Sequence, residues 1–217
     1  MNKMRIITNI LFISLILAGQ ITMAQSKKSS EEILKQVSEK TKSFTSIRIS
    51  FTYNMDNPSA KVHETETGVL LVKGDQYRLD IAGQKVISDS KTSWTYISEA
   101  NEVQINDVEE NENALTPTKL LTSYSEDYKS KLVNEITKDG RAQYVIELKP
   151  NEDKNFTTVE LNIDKELYRI MRIAIQDKSG NTFSYLVNKF ETNVAVKDND
   201  FTFDAKDYPG VEVIDMR

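Results

Sequence analysis

Few residues in this chain are equipped for chemistry, and their spacing decides how far each can go. The single histidine, His63, stands in the polar stretch KVHETET. With no second histidine and no cysteine in the chain, it cannot anchor a structural zinc site, and a Ser-His-Asp triad would have to be built on it alone. It reads as an exposed surface histidine. Ser88-Asp89-Ser90-Lys91 matches S-x-x-K, the nucleophile and base pairing of penicillin-binding enzymes. That chemistry needs both residues one turn apart on a helix, whereas here they flank a hairpin turn, and the companion S-D-N and K-T-G motifs are missing. A G-x-S-x-G elbow and a Walker glycine loop are missing too. Asp198 to Asp204 offers carboxylates at i and i+2 without the glycine and terminal glutamate of an EF-hand loop, and Asp107 to Glu112 is an acidic loop of the ordinary solvated kind. This inventory implies no enzyme, no metal site and no cofactor.

The chain's start sets an expected compartment. MNKMR is a short basic opening with Lys3 and Arg5, IITNILFISLILAG is an apolar run, and Thr22-Met23-Ala24 before Gln25 supplies the small residues of a cleavage site. Residues 1–24 therefore read as a secretory signal peptide. The apolar core is interrupted by Thr8, Asn9 and Ser14 and falls short of the ~20 residues a membrane span needs. Without cysteine there is no lipid attachment point, no disulfide and no thiolate metal site, so an apolar core has to hold the exported fold together. About 193 residues follow the signal, enough for one substantial domain, 25–217. They carry 26 basic against 33 acidic side chains, a net charge of −7, which disfavours nucleic acid and anionic membrane surfaces as partners.

The elements follow from periodicity. Ser29-Ser30-Glu31-Glu32 has the spacing of a capping box, and Ile33, Leu34, Val37, Thr41 and Phe44 recur at helical spacing, predicting one amphipathic helix over about 30–42. From Ser46 the period becomes two: Ile47, Ile49, Phe51 and Tyr53 fall on one face, and Arg48, Ser50, Thr52 and Asn54 on the other. Further alternating runs are GVLLVK, QYRLDI, EVQIND, KLVNEITK, QYVIELK, FTTVELNI, YRIMRIAI and TFSYLVNKF, with turns at Asp139-Gly140, Lys165-Glu166 and Ser179-Gly180-Asn181. Thr116 can cap a short helix that starts at Pro117 and reaches toward Tyr124. FTFDAKDYPGVEVID reads as short strand-like pieces around Pro209-Gly210. The expected fold is mainly β (α+β): about eleven antiparallel strands in a half-open barrel, with two or three helices.

VISDSKTSWTY, residues 86–96, reads as a hairpin turning at Asp89-Ser90 whose second strand places Trp94 and Tyr96 on one face. Such aromatic stripes are usually plain core. Four pieces in order carry a family resemblance: the helix running into KSFTSIRISFTY, then GVLLVKGDQYRLD, then VISDSKTSWTY, and finally FTFDAKDYPGVEVID. Together they resemble the periplasmic outer-membrane lipoprotein carrier family, LolA, with its helix ending in S-F, its G-x-L-x-x-K strand, its S-D-G-x-x-x-W-x-Y hairpin, its T-P-x-x-L-L-like helix start and its closing F-x-F…P-x-G-V. The match spans nearly the whole chain after the signal.

That resemblance implies helices forming a lid over an apolar cavity, lined here by Ile49, Phe51, Tyr53, Leu71, Tyr77, Leu79, Trp94, Tyr96, Leu120 and Leu121. It implies a monomeric periplasmic chaperone that shields the acyl chains of lipoproteins, loaded by an ATP-driven inner-membrane release complex and unloaded by an outer-membrane acceptor. A carrier of other lipids or glycolipids, or an envelope-stress lipoprotein sensor, are the alternatives on the same fold. Two positions depart from the pattern. Gly74 follows Lys73 where better-known members place an arginine that holds the lid, which leaves Arg78 as the nearest cationic substitute, and Ser90 replaces the turn glycine.

Overall fold

The capping box at Ser29 opens the first helix, α1 (Ser30–Lys42): the Ser29 hydroxyl accepts the Glu32 N–H at 3.2 Å, and the Glu32 carboxylate accepts the Ser29 N–H at 3.0 Å. In the computed structural model, which describes residues 28–108, 117–122 and 127–217, α1 buries Ile33, Leu34 and Val37 on one stripe. Burying three such side chains contributes roughly 1.5–3 kcal/mol apiece, which docks a helix too short to be stable alone. The expected signal peptide, most of the acidic loop, Thr116 and Tyr124 lie outside the described residues. Among the described residues no helix is long and apolar enough to cross a membrane.

Among the described residues twelve strands follow rather than about eleven. They are β1 (Ile47–Asn57), β2 (Val62–Lys73), β3 (Gln76–Ile81), β4 (Gln84–Ser88), β5 (Thr92–Ile97), β6 (Glu102–Asp107), β7 (Tyr128–Lys138), β8 (Arg141–Pro150), β9 (Phe156–Asp164), β10 (Ile170–Asp177), β11 (Thr182–Thr192) and β12 (Glu212–Asp215). A six-residue helix, α2 (Pro117–Thr122), lies between β6 and β7. All twelve strands form one sheet in the order β12-β6-β5-β4-β3-β2-β1-β11-β10-β9-β8-β7. The sheet has two edges and is not closed into a barrel. Its ladder is antiparallel throughout except at β12, which pairs parallel to β6 because the chain from β11 must cross the sheet to reach that edge.

The register sorts the side chains onto two faces. Ile47, Ile49 and Phe51 lie opposite Val72, Leu70 and Gly68 on β2, which in turn face Tyr77, Leu79 and Ile81 on β3. Directly paired residues share a face, and this one, the helix face, receives α1 and α2 in a continuous core that extends to Ile146, Leu148, Val159, Leu161 and Ile163 on β8 and β9. Gly68 sits in the middle of this core, where a Cβ would lie only 2.4 Å from Phe51 Cζ and 2.9 Å from the Asp80 carbonyl, so its missing side chain makes room for the Phe51 ring.

Residues 193–211, with 3₁₀ turns at Asp198–Phe201 and Ala205–Asp207, form a strap across the opposite, far face. Lys73, on that face, pairs with Asp198 at 3.1 Å, and Tyr96 packs on Tyr208 and Phe203 with ring centroids 4.5 and 6.0 Å away. Phe201, Leu71, Ile87 and Val103 are all buried yet stand apart from the helix-face core. Leu71, Ile87 and Val103 lie on the far face of the sheet, and Phe201 is the buried side chain of the strap itself.

Candidate ligand-binding face

Six of the ten expected cavity residues share the helix face. Ile49, Phe51 and Tyr53 come from β1, Tyr77 and Leu79 from β3, and Leu121 from α2. Leu120's side chain lies outside the described residues. Burial along this face is graded. Next to α1 and α2, Ile49, Phe51, Tyr77 and Leu121 are buried, whereas Tyr53, Leu79, Ile81, Val86, Tyr185 and Val187 are only half-buried and continue the same apolar surface onto β4 and β11. Tyr185 binds this strip together, its ring lying 5.7 Å from Phe51 and 5.3 Å from Tyr53. Burial raises the phenol pKa values of Tyr77 and Tyr185, and burial followed by the nearby Glu64 carboxylate raises that of Tyr53. The face is thus apolar and poor in charge at its centre, suited to hydrocarbon rather than to polar chemistry.

The other expected residues stand elsewhere, and parity is the reason. Leu71 pairs with Arg78, Ile87 with Trp94, Trp94 with Ile105, and Tyr96 with both Lys85 and Val103, all on the far face. The expectation that Trp94 and Tyr96 line the same surface as Phe51 is therefore corrected: both lie on the far face, where Tyr96 packs on Phe203 and Tyr208 of the strap. Tyr96 also donates its hydroxyl hydrogen to Asn101 Oδ1 at 3.1 Å, and the Asn101 amide donates to the Pro209 carbonyl at 3.3 Å. Leu70, one position from Leu71, is the β2 leucine on the helix face. β2 is covered on both faces here, so Leu70-Leu71-Val72 is a continuous apolar run without alternation.

Arg78 is likewise on the far face and donates from Nε to Asp80 Oδ2 at 3.0 Å, turned away from α2. It is not placed to latch α2. Gly74 adopts φ 58° in the β2–β3 turn and lines a cavity of about 150 Å³ with Thr118, Leu121 and Thr122 of α2 and Phe44 beyond α1. α2 is tied instead to α1, where the Ser38 hydroxyl donates to the Thr122 carbonyl at 2.8 Å. At the other departure, Ser90 has φ 81°, and Asp89 Oδ1 holds the turn by accepting the N–H groups of Lys91 and Thr92. Ser88 is buried, its hydroxyl accepting the Ser90 N–H, while Lys91 is exposed, so the S-x-x-K residues do not assemble. His63 is exposed and contacts Asp56.

A half-covered surface that is apolar at its centre, with Glu64 and Glu66 at its rim beyond Tyr53, lies on an open, mainly antiparallel sheet beside two helices. The chain belongs to the family of the outer membrane lipoprotein carrier protein LolA, whose family model matches residues 39–204. Solved structures agree in fold. An uncharacterized conserved protein from Thermus thermophilus superposes with a TM-score of 0.59 at 13% identity, over 85% of this chain and 98% of that one. The Mycobacterium tuberculosis lipoprotein LppX superposes with a TM-score of 0.50 at 13% identity, over 78% and 99%. No curated protein sequence matches the chain.

Proposed function

We propose that this chain is a periplasmic carrier that shelters the acyl chains of lipoproteins on the helix face, between the sheet and the α1–α2 pair. The observation that carries the reading is the half-buried apolar strip of Tyr53, Leu79, Ile81, Val86, Tyr185 and Val187, continuous with the core and left partly open where the helices end. Residues 1–24 act as the signal peptide, 25–217 as the carrier domain, and α1 with α2 as the lid. The Ser38–Thr122 hydrogen bond makes the two helices move together, replacing a latch to the β2–β3 turn.

Energetics limit what such a carrier does alone. Burying an acyl chain gains about 0.8 kcal/mol per methylene relative to water, but a bilayer already supplies that environment, so membrane-to-carrier transfer is near neutral. An ATP-driven inner-membrane complex loads the cargo, and an outer-membrane acceptor with a better-fitting surface removes it. No residue of the carrier performs covalent chemistry. Native mass spectrometry of the protein isolated from its own cells tests this. Acylated polypeptide in one-to-one complex is the expected result. Free lipid or glycolipid alone would replace the reading with a lipid carrier, and protein that is empty and fails to take up acyl probes would overturn it.

A further inference from the structure

The margin of α1 beside the β9–β10 turn carries three cations without a carboxylate partner among the described residues. Arg169 lies with its guanidinium carbon 4.9 Å from the Phe190 ring centroid and 5.6 Å from that of Phe44. Its Nε is buried without a hydrogen-bond partner, and among the described residues no carboxylate pairs with the guanidinium, whose Nη end reaches the surface. Lys40 is exposed, lies 5.7 Å from the same Phe44 ring and also forms no ion pair among the described residues. Lys28, just before the Ser29 N-cap of α1, donates to the Tyr168 hydroxyl at 2.5 Å. Tyr168, next to Arg169, is a bulky residue held at φ 50°.

The neighbouring acids are mostly committed. Glu32 caps α1, Glu135 is engaged by Lys165, and Glu166 stands exposed in the β9–β10 turn.

We propose that this margin is a docking surface for an anionic phospholipid bilayer, with Lys28, Lys40 and Arg169 meeting phosphates and Phe44, Tyr168 and Phe190 bordering them. Ring contacts account for the inner part of Arg169 but not for its outward fork, which suits phosphate oxygens. Three cations set among aromatic rings place apolar bodies and charged heads side by side, the pairing that suits a headgroup boundary. An acidic protein partner would need charge but has no use for the rings. The net negative charge of the whole chain acts against approach, but it is screened beyond a Debye length of about 8 Å at physiological salt. At contact the local patch dominates and fixes which side faces the membrane.

Co-sedimentation of residues 25–217 with vesicles of neutral phosphatidylcholine, alone or mixed with anionic phosphatidylglycerol, tests the surface. Binding is expected only to the anionic vesicles and weakens with salt. The double variant Lys28→Gln/Lys40→Gln lowers partitioning about 25-fold, from roughly fivefold per cation. Arg169→Gln lowers it again, judged after its melting temperature is checked. Lys197→Gln/Lys206→Gln, on the strap, leaves it unchanged. Equal binding to neutral vesicles, an unaffected Lys28/Lys40 variant, an equal loss in the strap variant, or capture by polyglutamate but not by vesicles would overturn the proposal.

Discussion

Gly68 is where the sheet's packing and the proposed binding strip meet, so Gly68→Ala tests both. An added Cβ would stand 2.4 Å from Phe51 Cζ, 2.8 Å from Phe51 Cε2 and 2.9 Å from the Asp80 carbonyl oxygen, all well inside van der Waals contact. The ring has to move by about 1 Å, and it moves toward Tyr185 and the half-buried strip, since β2 blocks the other way. The carbonyl belongs to the β2–β3 ladder and yields less readily. Overpacking of this kind costs about 1–3 kcal/mol. The lower chain entropy of alanine in the unfolded state offsets about 0.5–1 kcal/mol of that, for a net loss centred on about 1–1.5 kcal/mol. In a domain of this size the melting temperature falls by roughly 2–6 °C. Urea unfolding of the single variant, of Phe51→Leu and of the double variant closes a cycle. The double variant should recover at least about 1 kcal/mol relative to additivity, because the smaller side chain vacates the space that the new methyl needs. A neutral or stabilising Gly68→Ala, or additive behaviour in the cycle, would refute the reasoning.

Other outcomes follow from the two-faced sheet. Phe201→Ala removes the strap's buried side chain and should cost about 3–5 kcal/mol in urea unfolding, while acyl-probe affinity at temperatures where the variant stays folded is retained. Ser38→Ala removes the bond from α1 to α2 and should cost about 0.5–1.5 kcal/mol, with faster amide exchange in α2 and faster acyl-probe uptake. Asp164 is pushed up by burial, but the Leu167 N–H, Arg141 and the Glu166 N–H together outweigh that and hold its pKa below the usual value. A depressed folded pKa gives stability that is full above the unfolded value of about 3.9 and lost as pH falls through the folded value. Asp164→Asn should therefore destabilise by about 1–3 kcal/mol at neutral pH, the gap to the unaltered protein closing below about pH 4 in denaturant titrations. Ser90→Gly relieves a positive φ and should stabilise by about 0.5–1 kcal/mol, read as a shift in the urea midpoint.

Local signals were the readable part of the fold. The capping box marked the start of α1, and strict alternation from Ile47 to Tyr53 identified both β1 and the face that it buries, because that strand has a polar opposite side. Where both faces are covered, alternation disappears. Leu70-Leu71-Val72 offered no parity, and the choice of Leu71 fell on the wrong side. The strap was the missing information: FTFDAKDYPGVEVID looked like strand fragments, but only β12 is a strand, and the rest crosses the far face. A strap makes aromatic residues inward-pointing on both sides of the sheet, so Trp94 and Tyr96 could not be assigned a face from their own stretch. The bond between α1 and α2 was equally out of reach, since Ser38 and Thr122 are 84 residues apart and only the docking of α1 brings them together.

The central claim is that acyl cargo occupies the helix face and not the far face. A photo-crosslinking phenylalanine analogue placed at Leu79, and separately at Trp94, in cells expressing the full chain addresses it most directly. Leu79 should capture acylated polypeptides that lose their crosslink when the acyl attachment cysteine of the cargo is replaced, and Trp94 should give none. Capture at Trp94 with none at Leu79 would contradict the account, as would crosslinks at Leu79 that are indifferent to acylation.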